Sequence, residues 1–313
     1  MWQIRVVASP TLTDLFVFVF GLIIGSFLNV CIIRIPSHQS IVTPPSACPK
    51  CGARIRPYDN IPTVSYLLLG GKCRACKSGI SPMYPLVELL TGLTFLACYR
   101  TFGLSVETGK WIVFSALMIV LVFTDLRERT LPDAVTYTGF AAGMAFSPFT
   151  KTADGTARLL TSITFRSPLP APVLSFTDAI LGAAVGSGVL WLIAEAYFRL
   201  MGREGMGQGD VKMMLMAGAF LGVERTLLML FVGSLIGSVI GICVIGFLYI
   251  VGWKKTVAMR AHRMGLGTVG TLRWVLVRRH QLPFGTYLGI AGVVVCLFGT
   301  PILNWYQSVL MAG

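Results

Sequence analysis

Residues 15–33 read LFVFVFGLIIGSFLNVCII, nineteen positions without a charge, and run straight into Arg34-Ile35-Pro36. A helix of that length and apolarity matches the hydrocarbon thickness of a bilayer, which needs about 20 residues. Asp14 precedes the run and no small-residue cleavage site follows it, so the segment is expected to stay in the chain as a span.

Working outward, similar runs recur at 86–102, 111–124, 134–149, 176–198, 211–222, 227–251 and 284–303. The composition agrees: of 313 residues 55% are hydrophobic and 12% charged, outside the usual range of soluble domains. The expected fold is an all-α polytopic membrane protein with about eight transmembrane helices and a small cytoplasmic four-cysteine loop domain. The divisions are 1–36, the first span; 37–84, the loop domain; and 85–313, a transmembrane core. Gly233, Gly237 and Gly241 mark close helix packing.

A net charge of +13 would suggest nucleic acid in a soluble protein, but here the basic residues follow topology. With the first span running inward, 19 Lys and Arg fall in 34–84, 126–132, 199–212 and 252–283, and 7 fall elsewhere. That bias puts the amino terminus outside and the ends of the runs at 125 and 210 in the cytoplasm. Nucleic-acid binding is left with little to explain, and membrane lipid becomes the expected surroundings. The segment 150–175, with Pro168, Pro170 and Pro172, reads as an external loop without a packed element. The basic segment 252–283, with Trp253, Trp274 and five arginines, is expected to lie along anionic headgroups.

Cys48-Pro-Lys-Cys51 and Cys73-Arg-Ala-Cys76 are two C-x-x-C pairs, a spacing that presents four thiolates tetrahedrally to one ion. Disulfides compete with this reading, but a cytoplasmic loop favours structural zinc at Cys48, Cys51, Cys73 and Cys76. Cys31, Cys98, Cys243 and Cys296 lie in apolar runs and read as packing residues.

Only 13 acidic residues occur, and a carboxylate at a span boundary is costly without a partner or a function. Asp125 closes the run Val122-Phe123-Thr124, and Asp210 closes Gly205-Met206-Gly207-Gln208-Gly209 before the next run. Singly, Asp125 could pair with Arg127 or Arg129, and Asp210 could cap a helix beside Lys212. Together they suit a catalytic pair at one membrane depth, with Gly207 and Gly209 leaving room for a substrate backbone. Amide hydrolysis by two carboxyl groups needs one ionised and one protonated. Asp210 at a helix amino terminus would be the base, and Asp125 at a carboxyl terminus the acid.

These residues resemble the bacterial type IV prepilin peptidase family, membrane aspartic proteases of the Gly-x-Gly-Asp class, over nearly the whole chain. The resemblance is carried by Gly25-Ser26-Phe27-Leu28-Asn29-Val30 with Arg34-Ile35-Pro36, both cysteine pairs, and Asp125 with Leu131-Pro132-Asp133. Gly205 through Asp210 with Lys212, and Pro283-Phe284-Gly285, complete it. It implies an inner-membrane enzyme that cuts the basic leader of type IV prepilins or type II secretion pseudopilins with Asp125 and Asp210. The new amino terminus would then be methylated from S-adenosylmethionine.

No Rossmann-like glycine fingerprint locates a methyl-donor pocket. Ser26 and Asn29 share a helical face and need interhelical partners or a place in a substrate or donor site. Asp59, Glu88, Asp133 and Glu204 could attract a basic leader or be paired locally. The rival readings are a peptidase without transferase activity, a proton-coupled transporter and a noncatalytic zinc-knuckle adaptor.

Overall fold

The structure is a computed structural model and describes residues 11–150, 155–164, 169–203, 205–251 and 283–312. The basic segment expected on the headgroups, together with Glu204 and Pro168, lies outside them. Nine α-helices are described: α1 (Leu12–Arg34), α2 (Val64–Leu68), α3 (Met83–Phe102), α4 (Val106–Glu128), α5 (Asp133–Phe146), α6 (Gly155–Thr164), α7 (Ala171–Met201), α8 (Gln208–Val251) and α9 (Phe284–Ala312). Five are long and apolar enough to cross a membrane: α1, α4, α7, α8 as far as Cys243, and α9 as far as Val309. The expected count of about eight is larger. α3 falls outside the five and carries Glu88, Thr91, Thr94, Arg100 and Thr101, while α5 has only 14 residues.

α1 begins with a capping box: Thr11 Oγ1 accepts from the Asp14 N–H, and Asp14 Oδ2 accepts from the Thr11 N–H at 2.8 Å. The same carboxylate pairs with Arg100 at 3.1 Å, which clips the start of α1 to the end of α3. Between these ends the helices touch through glycine, since a Cβ on Gly21 or Gly25 would lie 2.7 Å from the Cα of Gly92 or Glu88. Small residues four apart let two helix backbones approach this closely.

α4 forms the centre. Ser105 caps it by accepting from the Thr108 N–H, and it ends at Arg129, whose left-handed backbone (φ 55°) returns its N–H to Asp125 O at 2.9 Å. Trp111, Phe114, Met118 and Leu121 are buried along it and meet Met213, Met216, Phe220 and Met229 of α8 and Leu288 and Val295 of α9 in one core.

The runs 211–222 and 227–251 fall in one segment, α8, broken at Gly222 (φ 74°, ψ −177°). The chain reverses there. Asp210 and Met213 lie against Gly285 and Gly289 of α9, whereas Arg225, Gly233 and Gly237 meet Gly299, Leu288 and Tyr287. The first arm therefore runs parallel to α9 and the second antiparallel, with Gly233 and Gly237 in the close contacts expected of them.

The segment 150–175 differs from expectation: Gly155–Thr164 is helical, and α7 begins at Ala171. The helix leaves Leu159, Leu160 and Ile163 exposed, so no buried stripe marked it in the sequence.

Candidate functional site

Asp125 lies in the last turn of α4 and Asp210 in the first turn of α8, as their positions in the sequence suggest. Both are buried, at 6% and 9% exposure. A Cβ built on Gly285 would lie 2.9 Å from Asp210 Oδ1 and 3.1 Å from Asp125 Oδ2. The two oxygens are thus separated by no more than the sum of those distances, about 6 Å, within reach of one shared water.

Neither local pairing occurs. Arg127 pairs with Glu128 at 3.5 Å, and Lys212 pairs with Asp133 at 2.8 Å while lying over the Tyr137 ring. The Asp133–Lys212 bridge ties the start of α5 to the start of α8, and so fixes the Leu131 turn beside the aspartates. Asp125 instead reaches across to α9, where its Oδ2 accepts from the Thr286 N–H at 2.7 Å and the Thr286 hydroxyl at 2.8 Å.

That contact bears on the expected division of roles. Asp210 starts its own helix, but Asp125 faces the amino end of α9, so the helix dipole no longer separates the two. Both Thr286 donors go to one oxygen of Asp125, and no hydrogen bond to the Asp210 carboxylate is present among the described residues.

Around the pair, Gly209 abuts Leu131, where a Cβ would come within 3.0 Å of the leucine Cβ. At Gly207 the nearest atom to an added Cβ is the Gly209 nitrogen at 3.9 Å, so space is open there. Gly205 presses on the Tyr197 ring. Gly285 and Thr286 lie at the pair without being flagged as site residues by the sequence. Their only mark in the sequence is the Pro283-Phe284-Gly285 motif, with no charge to flag it.

The four cysteines come together independently of this pair. Each C-x-x-C is one knuckle: an antiparallel bridge joins Ala47 to Arg54 and Lys72 to Gly79, the same offsets about Cys48 and Cys73. Gly52 and Lys77, each following a second cysteine, take positive φ of 70° and 56°. All four Sγ atoms lie within 4.8 Å of one another, and Cys48 and Cys76 are 3.9 Å apart. Tetrahedral zinc with Zn–S near 2.3 Å places sulfurs about 3.8 Å apart, so the set fits such an ion. The N–H groups of Cys51 and Lys50 hold the Cys48 thiol down at about 6, and the Ser78 hydroxyl and N–H lower Cys76. Cys51 shifts the other way: the Ala53 N–H lowers it, but its bonds to the neighbouring thiols and burial push it up to about 11, so the cluster shares protons that a bound metal would displace.

Two family descriptions match the chain: a bacterial peptidase A24 N-terminal domain over residues 19–102 and the type IV leader peptidase family over 112–242. Among curated proteins, the prepilin leader peptidase/N-methyltransferase of Aeromonas salmonicida is 31% identical over 96% of this chain and 96% of its own length. The protein of that name from Pseudomonas aeruginosa is 30% identical over 91% and 90%. The one from Myxococcus xanthus is 40% identical over 72% of this chain and 62% of its own length. No solved structure matches the chain.

Proposed function

Because the chain belongs to the type IV leader peptidase family, we propose that Asp125 and Asp210 hydrolyse the bond between leader and mature prepilin, and that the new amino terminus is then N-methylated. The observation that carries the peptidase half is the meeting of two buried carboxyl groups at Gly285. Asp125, oriented by the Thr286 donors to its Oδ2, takes a proton from the shared water. Asp210, protonated, donates to the scissile carbonyl. The pair shares one proton, so no covalent intermediate is needed.

The substrate is the basic leader of a type IV prepilin or type II secretion pseudopilin. Its charge stays in the cytoplasm while its apolar helix enters the inner membrane, which puts the scissile junction at the depth of the aspartates. The chain crosses the membrane eight times in this reading, counting α3, α5 and both arms of α8. The unit 37–84 is cytoplasmic and 85–313 is the peptidase core. Gly207 and Gly209 leave backbone room beside Asp210. Zinc on Cys48, Cys51, Cys73 and Cys76 would be structural, because four sulfurs leave it no open position. The methyl group comes from S-adenosylmethionine, which supplies an electrophilic carbon on a sulfonium.

The test is prepilin processing in vesicles. Asp125→Asn and Asp210→Asn should each lower cleavage by about 10⁴-fold, at the upper end for acid–base groups. Cleavage within tenfold of the parent in either variant removes that residue from the reaction.

A further inference from the structure

Of the acidic groups that could have met a basic leader, Asp59 is paired with Arg74 at 2.6 Å and Asp133 with Lys212. Glu88 differs. It is buried at 7% exposure on α3, and no cation pairs with it among the described residues. Its Oε2 accepts from the Thr63 N–H at 2.6 Å and the Thr63 hydroxyl at 3.2 Å, and the Ser26 hydroxyl of α1 reaches the same carboxyl group.

One turn away on the same two helices lies a second unmet demand. Asn29 Nδ2 donates to Tyr84 O at 3.0 Å, bridging α1 and α3, but Asn29 Oδ1 is buried without a partner in a residue only 2% exposed. A buried carbonyl oxygen left unpaired is costly, and so is a buried carboxylate without a counter-ion. Both are satisfied by one kind of group, a cation rich in N–H donors, of which a primary ammonium is the smallest.

Thr63 occupies the carboxylate at φ 59°, ψ −43°, which is unfavourable for a β-branched residue. Its two donors mimic part of what an ammonium would offer. Thr63 lies in the stretch between the two cysteine knuckles, which its hydrogen bonds to Glu88 tie to α3. Tyr84 also lies within electrostatic reach of Arg127, two residues past Asp125, so the cradle and the aspartate pair share one end of the bundle.

We propose that Glu88 and Asn29 form the acceptor site for the transferase half of the function stated above: they bind the amino-terminal ammonium that leader cleavage creates. The ammonium displaces the Thr63 donors, gives one proton to Glu88 and offers the freed lone pair to the methyl carbon. The carbon–sulfur bond of the donor breaks with its electron pair leaving on sulfur, and the product is a methylammonium and a thioether.

The test uses the full chain in nanodiscs without methyl donor, with two peptides carrying a mature pilin amino terminus, one free and one N-acetylated, and reads binding by fluorescence anisotropy. The wild type should prefer the free amine by about tenfold, the worth of one charge-assisted contact. Glu88→Gln should abolish that preference and Asn29→Leu reduce it, whereas Thr63→Ala, which keeps the carboxylate, should retain it. A preference surviving in Glu88→Gln, absent from the wild type, or lost equally in Thr63→Ala overturns the proposal. Adding S-adenosylmethionine and pre-cut peptide separates the two ideas. Methylation undiminished in Glu88→Gln removes the amine site and leaves the transferase reading. A wild type that prefers the free amine yet never methylates it does the reverse.

Discussion

The cysteine loop and the aspartate pair are built in opposite ways. Each knuckle closes within eight residues, by an antiparallel bridge and one positive-φ residue, and only the meeting of two such units makes the four-sulfur cluster. The aspartates stand 85 positions apart, and their arrangement depends on a third segment, since Thr286 binds Asp125 across 161 residues. In the reading proposed above, the first site would rely on a metal to hold a small polar loop that buries little core. The second relies on helices packed through glycine and methionine within the apolar bundle. Damage should therefore stay within one region or the other, unless it strikes the loop that rests on Glu88.

The largest break in that comparison comes from the smallest change. Gly285→Ala places a methyl group about 3 Å from both carboxylates, where a reacting atom must sit, and should lower prepilin cleavage by about 100-fold or more. Bound zinc, measured by atomic emission, should be unchanged in that variant. The converse is chelation, or Cys48→Ser with Cys51→Ser. Either should expose residues 37–84 to protease and lower methylation more than cleavage, because the peptidase helices do not rest on the metal. Equal loss of both activities would show that the two regions are not separate.

Finer effects sharpen the picture. Thr286→Val keeps the backbone donor to Asp125 but removes the hydroxyl, and should cost roughly tenfold in kcat for cleavage. Asp133→Asn breaks a bridge that is largely exposed on the aspartate side, and should change activity by no more than about fivefold, with a loss that shrinks as salt is raised.

Much of this was legible in the chain because it is local. Apolar runs, C-x-x-C spacing and carboxylates at the ends of spans each declare themselves within a window of a few residues. What stayed hidden depends on distant packing. From the chain alone Asp125 sits at the carboxyl end of its own helix, and the amino end of α9 that faces it is visible only once the fold brings residue 286 alongside. Likewise 211–222 and 227–251 read as two runs, without showing that the left-handed Gly222 folds one arm back along α9. The helix at Gly155–Thr164 is hidden in the sequence because prolines follow it closely and its apolar residues remain exposed.

Chain order adds a consequence to the Thr286 contact. Ribosomes deliver both aspartates to the translocon before residues 285 and 286 emerge, so a nascent protease would carry its two acids without the threonine that orients one of them. Proteolytic competence would arrive only with insertion of α9, and a peptide ending before Phe284 should be inert toward prepilin even though it contains Asp125 and Asp210.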